Sequence, residues 1–198
     1  MEGFFDKFVF IRVHSWLKME CLVLEKNLTI KMIRENLENL PDFAPPVGYS
    51  IRWFQSGDEA AWLRIQSAAE KFHQITPDTF VRVFGRNAAW LSQRLCFLLD
   101  PAGNPIGTGA AWFDDNFDGR KFGRIHWMAV VPEYQGRGLG GVLMTAVCRR
   151  LIELKHTNAY LITSSARLAA IRLYLRFGFA PLIRNQADEI LWQELVAR

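Results

Sequence analysis

The sequence predicts a mixed α/β (α+β) fold, and three observations lead there. An apolar run from Arg124 to Val131, a glycine-rich loop and a periodic apolar pattern ending near Lys155 follow one another as strand, loop and helix. A second apolar run, Ala159 to Thr163, comes one helix later, so a right-handed crossover would set these two strands parallel. Upstream, Arg94 to Asp100 and Pro105 to Phe113 flank Pro101-Ala102-Gly103-Asn104 and read as an antiparallel hairpin. A single sheet with both kinds of pairing, flanked by helices, accommodates all three.

Composition is consistent with one such domain. The chain has 198 residues, 50% of them hydrophobic and 13% aromatic, enough for a real core and too apolar for a disordered chain. The formal net charge of +4 suits an anionic ligand, but no Lys/Arg run of about 5 to 8 residues occurs. Nucleic acid is therefore not an expected partner. Cys21, Cys96 and Cys148 are odd in number and lie in apolar surroundings, which predicts reduced thiols in a cytoplasmic protein. The segment Phe4 to Arg12 is broken by charges and has no A-x-A-like site after it, so it does not read as a signal peptide. Nothing approaches the roughly 18 apolar residues of a membrane span.

Taken in order, residues 1–47 look unlike the rest and end in Pro41-Asp42-Phe43-Ala44-Pro45-Pro46. They are expected to be an extension and linker, with Met32 a possible start that would make residues 1–31 non-native; residues 48–198 are then the domain. Tyr49 to Phe54 alternates as a strand, and Gly57-Asp58-Glu59 opens an amphipathic helix through about Lys71. Thr76-Pro77-Asp78 offers a Thr N-cap and a Pro at N1 for a second helix. After the hairpin, Asp114-Asp115-Asn116-Phe117-Asp118-Gly119 resembles half a calcium loop, but the twelfth position is Ile125 where a bidentate Glu is needed. It reads as an exposed turn. His14, His73, His126 and His156 are scattered, so no metal is expected. The helix after the loop places Leu139, Val142, Leu143, Val147 and Leu151 on one face. Ser164 or Ser165 can cap the next helix, which Gly178 stops, and Phe179 to Ile183 and Asp188 to Val196 are the expected closing strands.

The loop Gln135-Gly136-Arg137-Gly138-Leu139-Gly140-Gly141 carries the chemistry. Its glycines remove the Cβ atoms that keep a ligand off the main chain, and the helix behind it presents a positive dipole end. Both features favour a phosphate. The run satisfies G-x-G-x-x-G, yet a dinucleotide fold would place the glycines directly after the strand and an acid about 20 residues on. Pro132 to Gln135 intervene instead, and Tyr160 to Ser165 holds no acid.

Val130 to Gly140 resembles the acyl-CoA loop of the GNAT superfamily of N-acetyltransferases, whose pattern is Q/R-x-x-G-x-G/A, with Gln135, Gly138 and Gly140 at its three positions. Ala170 to Phe179 resembles that family's second signature, a helix with a tyrosine closing on Gly-Phe. The two together cover about residues 125 to 183.

This resemblance implies a central, partly splayed mixed sheet flanked by helices. It also implies an enzyme that moves an acetyl group from acetyl-CoA to a primary amine of a small molecule or peptide, by direct transfer in a ternary complex. Main-chain groups of Met128, Ala129 and Val130 would pair with the pantetheine, and the N–H groups of Gly136, Arg137, Gly138, Leu139, Gly140 and Gly141 would hold the pyrophosphate. Gln135 belongs to the same loop, and Arg137 would add a charged contact. Tyr174 falls where many members protonate the departing thiolate. Arg124 and Ile162 stand where some members carry a basic carboxylate, so His126, two residues from Arg124 on the same strand face, is the substitute base. Arg167 replaces an Asn that touches CoA and would reach a phosphate. Cys148, on the inward half of the loop helix, is not expected to carry the acyl group. The expected assembly is a monomer or homodimer. The competing readings are a non-catalytic acyl-CoA-binding or sensing domain and a dinucleotide oxidoreductase.

Overall fold

A computed structural model describes residues 27–196. Seven strands form one sheet in the order β2-β3-β4-β5-β6-β1-β7. These are β1 (Thr29–Arg34), β2 (Ser50–Trp53), β3 (Leu95–Leu99), β4 (Pro105–Phe117), β5 (Arg120–Val130), β6 (Ala159–Ser164) and β7 (Ala180–Pro181). The helices are α1 (Glu59–Ala69), α2 (Thr79–Phe84), α3 (Ala88–Arg94), α4 (Leu139–Glu153), α5 (Leu168–Arg176) and α6 (Gln186–Val196). Only β5 and β6 pair in parallel; every other neighbour is antiparallel. The mixed sheet expected from the sequence is present. Leu95, Phe97, Leu143, Val147 and Leu151 are buried in its core, with α4 packed on β4 and β5.

Three expectations are corrected. First, residues 29–47 are not an extension or linker: β1 lies inside the sheet, antiparallel to β6 and β7, with Ile30 and Met32 buried. The following segment straps over α4. The Leu37 N–H donates to the Thr157 carbonyl, the Phe43 N–H donates to Thr145 Oγ1 at 3.1 Å, and the Phe43 ring packs 5.6 Å from Phe177. The strap covers Thr145 and Gly141 of α4, which are buried along with Met144 and Cys148 and the sheet-facing residues. Residues 1–26, including the apolar segment Phe4 to Arg12 and Cys21, lie outside the described residues.

Second, the strand expected over residues 188–196 is helix α6. The sheet position beside β6 is filled by β1, and the chain after β7 leaves the sheet. Asn185 and Asp188 cap the helix reciprocally: the Asp188 N–H donates to Asn185 Oδ1, and Asp188 Oδ2 accepts from the Arg184 N–H. Leu191 and Trp192 are its buried anchors. The strand expected at 179–183 shortens to β7.

Third, the acidic stretch 114–119 is mostly strand. The turn is confined to Asp118 (φ 56°) and Gly119 (φ 76°), the two left-handed residues that a tight hairpin needs. Phe117, Phe122 and Tyr160 cluster, the Phe117 and Tyr160 rings stacking at 3.8 Å, and this small apolar group prolongs the ladder. Two helix starts also differ. α2 begins at Thr79 behind Asp78 rather than at Pro77, and α3, which the sequence reading leaves unassigned, is capped by the Asn87 side chain accepting from the Trp90 N–H.

Candidate active site

The parallel pairing of β5 and β6 covers only Gly123–Ile125 against Ala159–Leu161. Beyond it the strands part. The gap opens a cleft of about 490 Å³ bounded by Met128 to Val130, the loop after β5, the start of α5 and the end of α1. The opening coincides with a bulge in β5, where Thr108 pairs with Ala129 but Ala110 pairs with His126, leaving one extra residue on β5. Trp127 in this stretch has φ 46°, an unusual conformation for a bulky side chain. Its carbonyl accepts from Gln66 Nε2 at 2.9 Å, and its ring meets Trp62 edge-on at 5.2 Å, so α1 holds the bulge in place.

The anion-binding loop is preorganised by its own contacts. Gln135 Nε2 donates to the Val130 carbonyl at 2.7 Å, fastening the loop to the strand end. Gly136 and Gly138 have φ 76° and 77°, which only glycine adopts cheaply, and nothing lies within 4 Å of where a Cβ would stand. Among the described residues, the N–H groups of Gly136, Arg137 and Gly138 find no acceptor in the chain. Leu139 and Gly140 follow as the first helical residues, whose N–H groups have no intrahelical partner.

Two loop residues lie outside this arrangement. Arg137 turns back, with Nη2 donating to the Glu133 carbonyl at 2.8 Å and its guanidinium over the Tyr134 ring, so its side chain does not line the cleft. The Gly141 N–H is occupied by the Gly138 carbonyl, and a Cβ there would press on the Phe43 ring at 3.1 Å. Gly141 is a packing glycine.

Tyr174 lines the cleft. Burial pushes its phenol up to about 12, against a smaller opposing pull from the Arg167 charge. Arg167 also lines the cleft, but its guanidinium is paired with Glu70 at the end of α1. Burial works to raise the Glu70 carboxyl; the Phe72 N–H and Arg167 outweigh it, and the group titrates below its ordinary value. The pair ties α1 to α5 across the cleft. Gln66 and Glu70 were missed by the sequence reading, although a Gln among the apolar residues of an amphipathic helix was a visible anomaly.

His126 does not join the cleft residues. It sits against Phe84 and Trp127, and burial, aided by the Arg124 charge, lowers its pKa to about 3. Drawing a proton from an ammonium of pKa near 10.4 onto such an imidazole costs about 10 kcal/mol, which removes it as the general base. Cys148 is buried with its thiol pushed up to about 12 by desolvation, so it is not a nucleophile.

Residues 51–179 match the model of the acetyltransferase (GNAT) family. The chain belongs to this family. It is 31% identical to a mycothiol acetyltransferase of Streptomyces coelicolor over 144 residues, covering 71% of this chain and 46% of that protein. A mycothiol acetyltransferase of Mycobacterium ulcerans is 28% identical, with 75% and 52% covered. The chain thus spans about half the length of the curated relatives it matches. A GCN5-related N-acetyltransferase from Sphaerobacter thermophilus superposes with TM-score 0.65 at 20% identity, covering 85% of this chain and 53% of that one. The ribosomal-protein-S18-alanine N-acetyltransferase of Escherichia coli gives 0.54 at 22%, covering 67% and 77%. These two share the fold. With one parallel strand pair in an otherwise antiparallel sheet, the dinucleotide reading of the glycine motif is set aside. No helix among the described residues is long and apolar enough to cross a membrane.

Proposed function

We propose that this chain transfers an acetyl group from acetyl-CoA to a primary amine of a small molecule or peptide by direct attack in a ternary complex. The observation that carries this reading is the row of unoccupied N–H groups, Gly136 to Gly138, at the head of α4, in one cleft with Tyr174. Open space beside both positive-φ glycines fits a pyrophosphate, with the helix dipole behind it. Met128 to Val130 line the gap left by β6 and would accompany the pantetheine, while Leu139, Leu143 and Leu173 supply apolar walls.

The acetyl thioester would supply the activated acyl group; the chain supplies position and a proton. Tyr174 is fully protonated at neutral pH and can hydrogen-bond to the sulfur as charge develops there. A complete transfer from a phenol near 12 to a thiolate of pKa about 8.5 would be uphill by about 5 kcal/mol, so Tyr174 acts by sharing its proton. The acceptor must itself arrive deprotonated or lose its proton to water, since neither His126 nor the acid-shifted Glu70 is a competent base. Buried thiols at Cys96 and Cys148 suit a reducing, cytoplasmic setting. The acceptor named by the curated relatives is not carried over, because the chain matches about half of their length.

Thermal shift with acetyl-CoA, CoA and NAD tests the ligand class: stabilisation by the first two alone is expected, about 2.7 kcal/mol at 100 times Kd. Tyr174→Phe keeps the ring and removes the proton. CoA affinity should hold while turnover falls about 10² to 10⁴-fold. Full turnover in that variant would overturn the assigned role.

A further inference from the structure

Outside the cleft lining, on the sheet face that carries His126, stands a cation that the fold leaves unanswered. Arg124 stands on β5 opposite Tyr160 of β6, one step before the last pair, Ile125 with Leu161, beyond which the strands part. By strand alternation it shares a face with His126, Tyr160 and Ile162. Ile162 is 43% exposed, so this face is open to an incoming molecule just beyond the splay. Arg124 itself is half-buried.

Most other arginines of the described fold find an oxygen. Arg52 pairs with Asp58, Arg120 with Glu35, Arg149 with Asp42 and Arg167 with Glu70, while Arg94 donates to the Ala111 carbonyl. Arg124 does not. Its Nε is buried without a partner, and among the described residues its guanidinium meets only the Tyr160 ring, 5.4 Å from the centroid. Asp114, on the neighbouring strand, is no substitute: its Oδ2 accepts from the Tyr160 hydroxyl at 3.0 Å and forms no ion pair with Arg124. Lys31, exposed on β1 opposite Ile162, adds a second cation to the same face. A guanidinium drawn partly out of water and given no acceptor is costly to keep, and a bidentate anion is the ligand its planar fork fits.

We infer that Arg124 binds an anionic group of the acceptor, a carboxylate or phosphate carried by the same molecule as the reactive amine. The inference rests on the acyl-transfer reading of the cleft. Arg124 lies three residues before the bulge at Trp127, roughly 10 Å along the strand, and its side chain reaches part of that way back. The amine and the acidic group would thus be separated by a short spacer.

The test uses matched probes: γ-aminobutyrate against its amide, and phosphoethanolamine against ethanolamine. Each is titrated calorimetrically into the full chain with and without CoA, and assayed with acetyl-CoA. One charge-assisted contact predicts a preference for the acidic member of roughly 10- to 100-fold, seen in KM and in direct binding. Whichever pair shows it separates carboxylate from phosphate. In Arg124→Gln the preference should vanish while CoA affinity and the turnover of ethanolamine stay unchanged; Arg124→Lys should retain part of it. Equal affinity for both members of each pair, or a preference that survives Arg124→Gln, would overturn the inference. Because the probes are also titrated without CoA, loss of the cofactor reading would show separately, as absent CoA binding beside intact anion binding.

Discussion

The two sides of the cleft are built from different chemistry. On the proposed cofactor side, the groups offered are main-chain N–H groups of Gly136 to Gly140, and the side chains matter chiefly by being absent. Around the acceptor side that we propose, the structure is set instead by side chains on strands and helix ends: Gln66 on the Trp127 carbonyl, Glu70 on Arg167, and Arg124 over the Tyr160 ring, contacts between residues distant in sequence. A main-chain site leaves a signature, because glycines must recur at fixed spacing along one loop. A side-chain site on a sheet face leaves none, because strand register brings its members together.

The sharpest break in this comparison is Gly138→Val. A left-handed position costs a non-glycine residue roughly 1–2 kcal/mol, and the new Cβ occupies the space reserved for the anion, so CoA binding should be lost by calorimetry while the fold persists by circular dichroism. Arg137→Ala is the control: its side chain points away, so affinity should change by less than about threefold. Unchanged affinity in a folded Gly138→Val protein would refute the loop assignment.

Next in size is removal of residues 1–31, which the sequence alone makes look harmless. It deletes Ile30, which is buried, and half of β1, an interior strand next to the edge strand β7. Loss of that one side chain costs about 2–5 kcal/mol, enough to lower Tm by many degrees or prevent folding. An unchanged melting temperature would mean that β1 is dispensable to the sheet.

The smallest effect concerns His126. An imidazole whose folded pKa lies below its unfolded value takes up its proton first in the unfolded chain, so acid favours unfolding. With about 3 in the fold against 6.5 in the unfolded chain, stability should fall as pH drops from about 6.5 toward 3, by up to about 1.4 kcal/mol per unit. His126→Phe should flatten that slope by one proton in urea titrations. The pH dependence of turnover above pH 6 should be the same in both proteins; an ascending limb present in the parent and lost in His126→Phe would restore the imidazole as a base.

Several features were legible in the residues themselves: the parallel strand pair, the loop and α4 between them, the stop at Gly178 and the place of Tyr174 on α5. Each follows from short-range rules, apolar period, glycine spacing and capping, that act within about twenty residues. What only the tertiary structure decided is long-range. Thr29–Arg34 alternates as any short strand would, and nothing local says that it fills the place beside β6, or that residues 188–196 coil into α6. His126 carries the residue type of a base, but its pKa is set by Phe84, Trp127 and Arg124 around it. The bulge at Trp127 and the Glu70–Arg167 tie exist because helices remote in sequence pack against one strand end. Periodicity determines which face of an element is apolar; the free energy of burying all those faces at once determines which elements meet, and so which side chains face the cleft.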